Sequence, residues 1–278
     1  TPRPSRRQRQ MCIRDRDICG LDSVPRIQST TGVWNRIVFS HVASTNTVGK
    51  RLAAAYLNQG SGVVPTIVMT AEQTHGRGRL GRSWTSPAGG IYASLVVPRE
   101  PCIPLSTLPL VVPTALCREL DKVVDAPVRL KWPNDLMVNG RKLGGVLIET
   151  VGRDSTVAVV VGFGINYARQ QAAVEGAVSV LEIAEQTPSL RDLASQLIEA
   201  TAGEVMAGRT MDLVVDEYST WSVHEAGQRI TCRTAAATVS GTFIGFDDNG
   251  FLRLQTDRGE QTISAGDVIE TGEQDPHV

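Results

Sequence analysis

Hydrophobic residues recur along the chain with the two-residue period of strands in some segments and the three-to-four-residue period of helices in others. The predicted structure begins near Val33. Up to residue 222, the predicted strands are 33–39, 66–70, 91–97, 128–132, 136–138, 142–149 and 157–161, and the predicted helices are 45–59, 105–124, 189–206 and 211–221. This irregular succession indicates an α+β domain.

Turn and capping residues support several of these elements. Asn139-Gly140 is typical of a type I′ turn between two strands, and Ser189 with Asp192 resembles a capping box at the start of a helix. Pro109 and Pro113 lie inside the predicted helix 105–124 and indicate a late start or a kink.

The pattern changes after Val223 to short, closely spaced strands separated by turns such as Asp248-Asn249-Gly250. The strands predicted here are 228–233, 238–246, 251–255 and 261–264. They indicate a small β-barrel appended to the larger domain. The predicted organisation is a disordered or non-native segment at 1–32, a main domain at 33–222, a barrel at 223–272 and a tail at 273–278.

Composition narrows the class of protein. Hydrophobic residues make up 41% and charged residues 21% of the chain, as in ordinary globular proteins. No apolar run approaches the roughly 18 residues of a membrane-spanning helix, and no signal peptide is visible. Five cysteines without a CxxC pair indicate buried thiols rather than disulfides or zinc ligands. A cytoplasmic protein with no membrane partner is expected.

The net charge of −1 conceals an uneven distribution. Residues 1–16 hold six arginines and one aspartate, which leaves 22 basic and 28 acidic groups, a charge of −6, on residues 17–278. A basic arm can bind nucleic acid, but residues 11–16 resemble translated sequencing-adaptor DNA and the rest of the chain is acidic. No nucleic-acid partner is expected, although a nucleic-acid-binding module that uses the tail and loop arginines is one alternative.

A loop at 76–90 is rich in glycine and arginine. Its first part, Gly76-Arg77-Gly78-Arg79-Leu80-Gly81-Arg82-Ser83, satisfies the GxGxxG pattern of dinucleotide-binding proteins and approaches the P-loop pattern. Both patterns need a helix directly after the glycines, and Pro87 with Gly89-Gly90 argues against one. The guanidinium groups are expected to bind carboxylate or phosphate oxygens. A surface loop without a ligand is the alternative.

A second candidate segment, Lys131-Trp132-Pro133-Asn134-Asp135, ends one predicted strand, and Lys142 opens another across the hairpin. Two ammonium groups and one carboxylate are therefore expected near one end of the sheet. Singly, they would be surface or turn residues. Together with the arginine loop, they predict a site for a carboxylate and a nucleotide, with Asp135 as a metal-binding acid.

These motifs resemble those of the biotin protein ligase family, and the resemblance covers about residues 39–269. The combination of GRGRLGRSW at 76–84 with KWPND at 131–135 is highly specific. Further matching residues are Ser44-Thr45-Asn46, Gln73, Lys142, Gly145 and Gly162-Phe163-Gly164-Ile165-Asn166. The resemblance implies a mixed-sheet catalytic domain of the biotin/lipoate ligase (class II synthetase-like) type, followed by a small SH3-like barrel.

The resemblance also implies a two-step reaction. The carboxylate of biotin attacks the α-phosphate of ATP, with Mg²⁺ as the accompanying ion, and pyrophosphate leaves. A lysine of a biotin carboxyl carrier protein then attacks the resulting biotinyl-5′-AMP, and AMP leaves. The carrier protein is the implied partner, and a homodimer formed through the central sheet is a further implication.

Site residues follow from the same motifs. Those implied in binding biotin are Ser44, Thr45, Asn46, Gln73, Arg77, Gly78, Arg79, Lys142 and Gly145. Those implied in binding ATP or the adenylate are Arg77, Arg79, Arg82, Trp84, Lys131, Asn134, Asp135, Gly162 and Asn166. Lys142, Arg79 and Lys131 are the implied catalytic residues, and Asp135 is the implied Mg²⁺ ligand. The glycine–arginine loop is expected to close over the adenylate and to exclude water.

Several alternatives stay open. Ser44 and Thr45 are candidates for helix caps only, Trp84 for core packing and Asn166 for a turn. A lipoate ligase of the same superfamily and a dinucleotide-dependent oxidoreductase are the alternative enzymes. Repressor members of the family carry a winged helix-turn-helix, for which the segment 1–32 is too short, so DNA binding is not expected.

Overall fold

The computed structural model describes residues 26–28, 34–60, 62–99, 105–153, 156–168, 174–207 and 209–269. The chain divides into two compact units. The first takes its described residues from 1–100 and 147–165, and the second takes them from 101–146 and 166–278. Within the described ranges, no helix combines the length and the apolar character needed to span a bilayer.

Strands and helices follow one another in the mixed order that the sequence predicts. In chain order they are β1 (Arg26–Gln28), β2 (Asn35–Phe39), α1 (Thr45–Asn58), β3 (Thr66–Thr70), β4 (Ile91–Pro98), α2 (Leu108–Asp121), β5 (Val128–Lys131), β6 (Asp135–Val138), β7 (Arg141–Arg153), β8 (Thr156–Ile165), α3 (Leu190–Ala207), α4 (Met211–Trp221), β9 (Arg229–Arg233), β10 (Thr238–Phe246), β11 (Leu252–Thr256), β12 (Gly259–Ile263) and β13 (Asp267–Ile269). Two 3₁₀ turns lie at Arg79–Gly81 and Val180–Glu182. Strand β7 contributes residues 141–146 to the second unit and 147–153 to the first.

The first unit is a mixed sheet with one helix against it. Its strands lie in the order β1-β2-β3-β4-β8-β7; β2 and β3 are parallel, whereas β3–β4 and β4–β8 are antiparallel. Helix α1 packs through Ala53 on Val96 and Val160, which are all buried. A methyl group at Gly49 would lie 2.9 Å from Val160 Cγ1, so the helix lies close to the sheet.

In the second unit, β7, β6 and β5 form an antiparallel series beside helices α2, α3 and α4. Helix α2 starts late, at Leu108, with Pro109 in its first turn, where the missing N–H costs no hydrogen bond. It continues through Pro113. Arg118 on α2 holds the other two helices, because its guanidinium pairs with Glu204 on α3 at 2.5 Å and Glu217 on α4 at 2.8 Å.

The C-terminal strands form an antiparallel sheet in the order β12-β11-β10-β9-β13. Alternate residues of its strands are buried, among them Ile230, Cys232, Phe243 and Leu254. The sheet agrees with the predicted small SH3-like domain. The prediction omitted β13, because a three-residue strand that begins with an aspartate carries no detectable alternation.

Strand β1 lies within the segment 1–32, which the sequence predicts to be disordered or non-native, and it pairs antiparallel with β2. Strand β2 would otherwise expose its backbone N–H and C=O groups along an edge, and β1 satisfies some of them. Three residues are too few for a periodic pattern. Val33 and the arginine-rich segment 1–16 lie outside the described residues, and the domain boundaries at 33–222 and 223–272 stay predictions.

Candidate functional site

The N-terminus of α1 carries three buried polar residues, Ser44, Thr45 and Asn46, which are 2%, 4% and 4% exposed. Ser44 is the N-cap by position, but within the described residues its side chain makes no capping hydrogen bond. Instead, Gln73 Oε1 accepts hydrogen bonds from the Thr45 backbone N–H at 2.9 Å and from the Thr45 hydroxyl at 3.3 Å. Ser44 is therefore the N-cap by position, as one alternative had it, but in the part of the chain that the structure describes its side chain does not cap the helix, and a distant residue, Gln73, satisfies the Thr45 N–H.

Asn46 is held from two sides. The Ser94 hydroxyl donates to Asn46 Oδ1 at 2.6 Å and lies 2.7 Å from Thr45 Oγ1. Asn46 Nδ2 donates to the Leu147 carbonyl at 3.2 Å and to Glu149 Oε2 at 3.0 Å. Both amide protons are used, so Asn46 can offer a ligand only the remaining lone pair of Oδ1.

Glu149 connects this group of residues to the arginine loop. Its Oε1 pairs with Lys50 Nζ at 2.7 Å and with Arg77 Nη2 at 3.3 Å. Partial burial alone would raise the pKa of Glu149, but hydrogen bonds from Lys50 and Asn46 and the charges of Lys50 and Arg77 outweigh it and lower the pKa. The carboxylate is therefore ionised at neutral pH. We call Thr45, Asn46, Gln73, Ser94 and Glu149 the helix-start cluster.

The glycine–arginine loop has no helix after it, as the sequence predicts. Residues 76–90 are all described, and they contain only the 3₁₀ turn Arg79–Gly81, in which Leu80 has a φ of 53° and is 68% exposed. An isolated bridge joins Arg77 to Ser83. Without a following helix, neither the dinucleotide-binding pattern nor the P-loop pattern has its phosphate site, so both are excluded as interpretations of this segment.

This loop lines a cavity of about 950 Å³ in the first unit. The residues that line it include Arg77, Arg82, Gln73 and Trp84, and one acidic residue, Glu72. Gln73 Nε2 donates to Ser86 Oγ at 2.8 Å, which fixes the orientation of the amide. Neutral hydrogen-bonding residues beside two arginines, of which Arg77 pairs with Glu149, suit a ligand with a neutral polar end and an anionic end.

At two positions of β8, a side chain larger than that of glycine would clash with a neighbouring residue. A methyl group at Gly162 would lie 1.9 Å from Asn46 Oδ1, and one at Gly164 would lie 2.7 Å from Trp84 Nε1. Gly162, which the sequence assigns to the adenylate, therefore has a steric role beside Asn46. The indole of Trp84 lies against β8.

In the second unit, residues 132–134 form the turn between β5 and β6. Lys131 at the end of β5 lies opposite Asp135 at the start of β6 in the strand register. Lys142 Nζ lies 2.7 Å from Asp135 Oδ2. Gly145 faces Asp135 in the register of β6 and β7, and a methyl group there would lie 3.3 Å from Asp135 Oδ1. The predicted meeting of Lys142 with an acid at the hairpin is confirmed.

Two asparagines of the second unit use their amides to hold β7. Asn134 Nδ2 donates to the Val146 carbonyl at 2.5 Å, and Asn166 Nδ2 donates to the Lys142 carbonyl at 3.1 Å. Asn166 is 4% exposed. These bonds fix the backbone beside Lys142, and a contact of either asparagine with adenine or ribose stays a prediction.

Each unit thus brings together part of the predicted site. In the first unit, bonds or close approaches join Thr45, Asn46, Gln73, Arg77, Trp84 and Gly162. In the second, they join Asn134, Asp135, Lys142, Gly145 and Asn166. Gly78, Arg79 and Arg82 contact one another inside the loop, since the Gly78 N–H donates to the Arg82 carbonyl at 2.7 Å and Arg82 Nε lies 3.4 Å from the Arg79 carbonyl.

Sequence reasoning missed Ser94 and Glu149. Ser94 interrupts the otherwise apolar strand Ile91–Pro98, and an isolated hydroxyl in a buried strand is a signal that it serves a polar neighbour. Glu149 follows the apolar residues of β7 and resembled a strand end. Its role as a hydrogen-bond acceptor for Asn46 depends on a residue 103 positions away in the chain, which no local pattern indicates.

Comparison with protein families gives two matches. Residues 38–166 match the model of the biotin/lipoate A/B protein ligase family. Residues 226–269 match the model of the biotin protein ligase C-terminal domain.

Individual proteins are similar over most of the chain. A biotin–[acetyl-CoA-carboxylase] ligase of Paracoccus denitrificans is 34% identical over 220 residues, which cover 74% of this chain and 90% of that protein. The bifunctional ligase/repressor BirA of Bacillus spizizenii is 28% identical over 250 residues, which cover 82% of this chain and 71% of that protein.

A solved structure of biotin protein ligase from Aquifex aeolicus, in complex with biotin and ATP, superposes with a TM-score of 0.70. The superposition covers 84% of this chain and 97% of the Aquifex chain, and the two sequences are 23% identical. At that identity the likeness shows the fold alone, and it confirms the predicted fold class.

Proposed function

Since the chain belongs to the biotin/lipoate A/B protein ligase family, we propose that it is a biotin protein ligase that activates biotin with ATP and transfers it to a carrier protein. In the first step, a carboxylate oxygen of biotin attacks the α-phosphorus of ATP, and the bond to the departing pyrophosphate breaks. In the second, a neutral lysine amine of the carrier attacks the acyl carbon of biotinyl-5′-AMP, loses a proton and displaces AMP.

The observation that carries this proposal is the cavity of the first unit. It combines the oriented amide of Gln73 with the guanidinium groups of Arg77 and Arg82. Biotin has a neutral ureido ring at one end and a carboxylate at the other, so it matches both parts of this lining. Thr45, Asn46 and Gln73 would bind the ring, with Ser44 beside them, and Arg77, Gly78 and Arg79 would bind the carboxylate and phosphates.

Lys142 is proposed as the main catalytic residue. Its ammonium would neutralise charge on the biotin carboxylate and the α-phosphate, which otherwise repel each other. Lys131, 8% exposed, would supply a second charge to ATP. Gly145, Trp84, Asn134, Gly162 and Asn166 would frame the adenylate, in keeping with the motifs on which they lie.

Asp135 fits the role of a Mg²⁺ ligand. Among the described residues no group of three potential metal ligands exists, but Mg²⁺ bound to ATP takes most of its ligands from phosphate oxygens and water and needs only one or two carboxylates. When bound, the ion would neutralise the phosphate oxygens. The ammonium of Lys142 lies 2.7 Å from the Asp135 carboxylate and would orient it.

Arg79 is proposed to retain the adenylate. It lies in the 3₁₀ turn of the loop, and closure of the glycine-rich backbone would bring it over the intermediate and keep water out.

The lipoate ligase alternative has less support, because the C-terminal match is to the domain of biotin protein ligases and the similar proteins are biotin ligases. The carrier domain of a biotin-dependent carboxylase is the proposed partner, as the name of the Paracoccus relative suggests. A homodimer and a cytoplasmic location stay predictions; sedimentation would test the first and cell fractionation the second.

The test is to incubate the protein with ATP, Mg²⁺, biotin and an apo carrier domain, and to detect covalent biotin by mass spectrometry. We expect transfer to one carrier lysine, with release of one pyrophosphate and one AMP for each biotin. Parallel reactions with lipoate, and with a carrier whose acceptor lysine is replaced by arginine, are the controls. Transfer of lipoate alone, or no transfer by a folded enzyme, would refute the proposal.

A further inference from the structure

Three hydrogen bonds join Trp132 and Pro133, in the turn between β5 and β6, to residues outside the KWPND segment. His224 Nε2 accepts from the Trp132 backbone N–H at 3.2 Å. The Gly250 carbonyl accepts from the Trp132 indole N–H at 3.0 Å, and the Tyr218 hydroxyl donates to the Pro133 carbonyl at 3.3 Å. All of these residues belong to the second unit.

Two of the residues that bond the turn, Tyr218 and His224, stand at the two ends of a row of aromatic rings. Trp132, Tyr218 and His224 are 3%, 0% and 8% exposed. The ring of Phe243 lies 5.7 Å from that of His224 and 5.1 Å from that of Phe246, which in turn lies 5.4 Å from the ring of Tyr218. Strand β10 of the C-terminal sheet therefore supports the residues that hold the turn.

His224 is suited to act as a neutral acceptor. Burial, and next the charge of Lys131, lower its pKa to about 4, so the imidazole is uncharged at neutral pH. Because Nε2 accepts from Trp132, the proton of the neutral ring lies on Nδ1. In the part of the chain that the structure describes, the buried Nδ1 has no hydrogen-bond partner. The bond through Nε2 is thus the polar contact that the ring makes there.

We propose that His224 is a positioning residue for ATP: its neutral Nε2 fixes the Trp132 backbone and thereby sets Lys131, Asn134 and Asp135, the residues on either side of the turn. This inference rests on the proposed function, because it concerns the substrate to which those residues are assigned. His224 itself need not touch the substrate.

The test variants of His224 differ in whether they keep a hydrogen-bond acceptor at the position of Nε2. Leucine would fill the space of His224 but would leave the buried Trp132 N–H without an acceptor, which is costly. Glutamine places its Oε1 near the position of Nε2 and cannot take a charge near neutral pH. His224→Leu should therefore displace the turn, and His224→Gln should preserve it. His41 is exposed and lies in the first unit, so His41→Leu is a matched control.

The first measurement is the steady-state rate of biotin-dependent pyrophosphate release by the full chain. For His224→Leu we expect a rise of about 5- to 20-fold in the KM for ATP, the size that follows from leaving one buried N–H unpaired. The KM for biotin should change less than about twofold, because the turn residues are assigned to ATP. His224→Gln and His41→Leu should stay near wild type.

The second measurement needs no substrate. The chain has four tryptophans, so ¹⁵N-tryptophan labelling resolves their backbone and indole N–H signals by NMR. In His224→Leu the Trp132 backbone N–H should exchange with solvent at least about tenfold faster. The Trp132 indole N–H, bonded to Gly250, should keep its slow exchange and so report that the variant is folded.

The outcomes separate the possibilities. An unchanged ATP KM in His224→Leu, or equal rises in the KM for ATP and for biotin with no rescue by glutamine, would overturn the positioning role. Unchanged exchange of the Trp132 backbone N–H would overturn it as well. If wild-type protein shows no biotin-dependent pyrophosphate release, the proposed function fails and the ATP role fails with it, whereas the exchange data still decide whether His224 holds Trp132.

Discussion

Asn46 shows how neighbours decide what a single side chain can do. Its amide protons are taken by Leu147 and Glu149, and Ser94 donates to its oxygen. The same residue on an exposed helix start would be free to rotate and to donate. Here it can only accept, which restricts it to the N–H groups of a ligand. A ureido ring carries such groups.

Glu149→Gln tests the helix-start cluster. The change removes the negative charge that holds Lys50 and Arg77 and disturbs the bond to Asn46. We expect the KM for biotin to rise by about 5- to 10-fold, the equivalent of about one ordinary hydrogen bond, with little change in the KM for ATP. Glu119→Gln is the control, because that carboxylate lies on α2 and pairs with the exposed Lys122. An unaltered KM for biotin would argue against the cluster's role.

Lys142→Ala tests the proposed catalytic charge. Loss of a positioned cation should slow adenylate formation by about 10²- to 10³-fold, measured as pyrophosphate release. The free energy of unfolding should change by less than about 1 kcal/mol, because the pair with Asp135 is partly exposed, at 33% and 27%. Lys122→Ala, with 65% exposure, should leave both quantities unchanged. Near-normal pyrophosphate release by Lys142→Ala would contradict the assignment.

At the scale of elements, helix α1 is tied to the sheet at its first turn and along its length. Gly49 allows close approach to β8, and Gly162 on β8 leaves room for Asn46 at the helix start. The close fit of this helix on the sheet therefore also sets the position of a candidate binding residue.

Gly162→Ala should disrupt this fit. The added methyl group would lie 1.9 Å from Asn46 Oδ1, so Asn46 or the strand must move. We expect the free energy of unfolding to fall by about 1–3 kcal/mol and the KM for biotin to rise, as measured by urea denaturation and by adenylation kinetics. Gly203→Ala is the matched control. Nothing lies within 4 Å of a methyl group at Gly203 in α3, so the helix should gain about 0.5–1 kcal/mol. A stable Gly162→Ala variant with normal kinetics would show that Asn46 is not constrained.

Sequence patterns predicted most elements, since strands such as Thr66–Thr70 and helices such as Met211–Trp221 carry enough residues to show a period. The Asn139-Gly140 turn was also predicted, and both residues have positive φ, 50° and 73°, as a type I′ turn requires. Strands β1 and β13, of three residues each, were missed, because such strands depend on a neighbour's open edge rather than on their own pattern.

Over the whole molecule, the charge of the candidate site residues is opposite in sign to the net charge of the chain. Residues 17–278 carry a charge of −6, yet the candidate site residues include Arg77, Arg82, Lys131 and Lys142. Each unit thus contributes two of these cationic candidates in a chain whose net charge is negative, and positive charge is what a site for anions needs. In the second unit, His224, which precedes β9, and Gly250, which lies between β10 and β11, accept hydrogen bonds from Trp132 in the turn between β5 and β6.

Stability should fall in mild acid because of His224. Its pKa is lowered from 6.5 to about 4 in the folded protein, so the neutral ring contributes stability that is fully present above pH 6.5 and is lost as the pH falls toward 4, where the unfolded chain binds the proton. Between about pH 7 and pH 4.5 this costs roughly 2–3 kcal/mol.

Urea denaturation at several pH values measures this contribution. His224→Gln does not titrate there, so its free energy of unfolding should decrease less steeply than that of wild type over the same range. His41→Gln, an exposed position, should follow wild type. Parallel curves for wild type and His224→Gln would show that His224 is already protonated or exposed in the folded state.

The sequence by itself determined the order of most elements, the glycine–arginine loop without a following helix, the lysine-bearing hairpin and the family resemblance, because each depends on residues close together in the chain. The tertiary structure alone decided that Gln73 satisfies the helix start, that Glu149 holds Asn46, and that His224 and Gly250 hold Trp132. These partners are 28, 103, 92 and 118 positions apart. No local pattern specifies such pairs, because the folded sheets and helices bring them within hydrogen-bond distance.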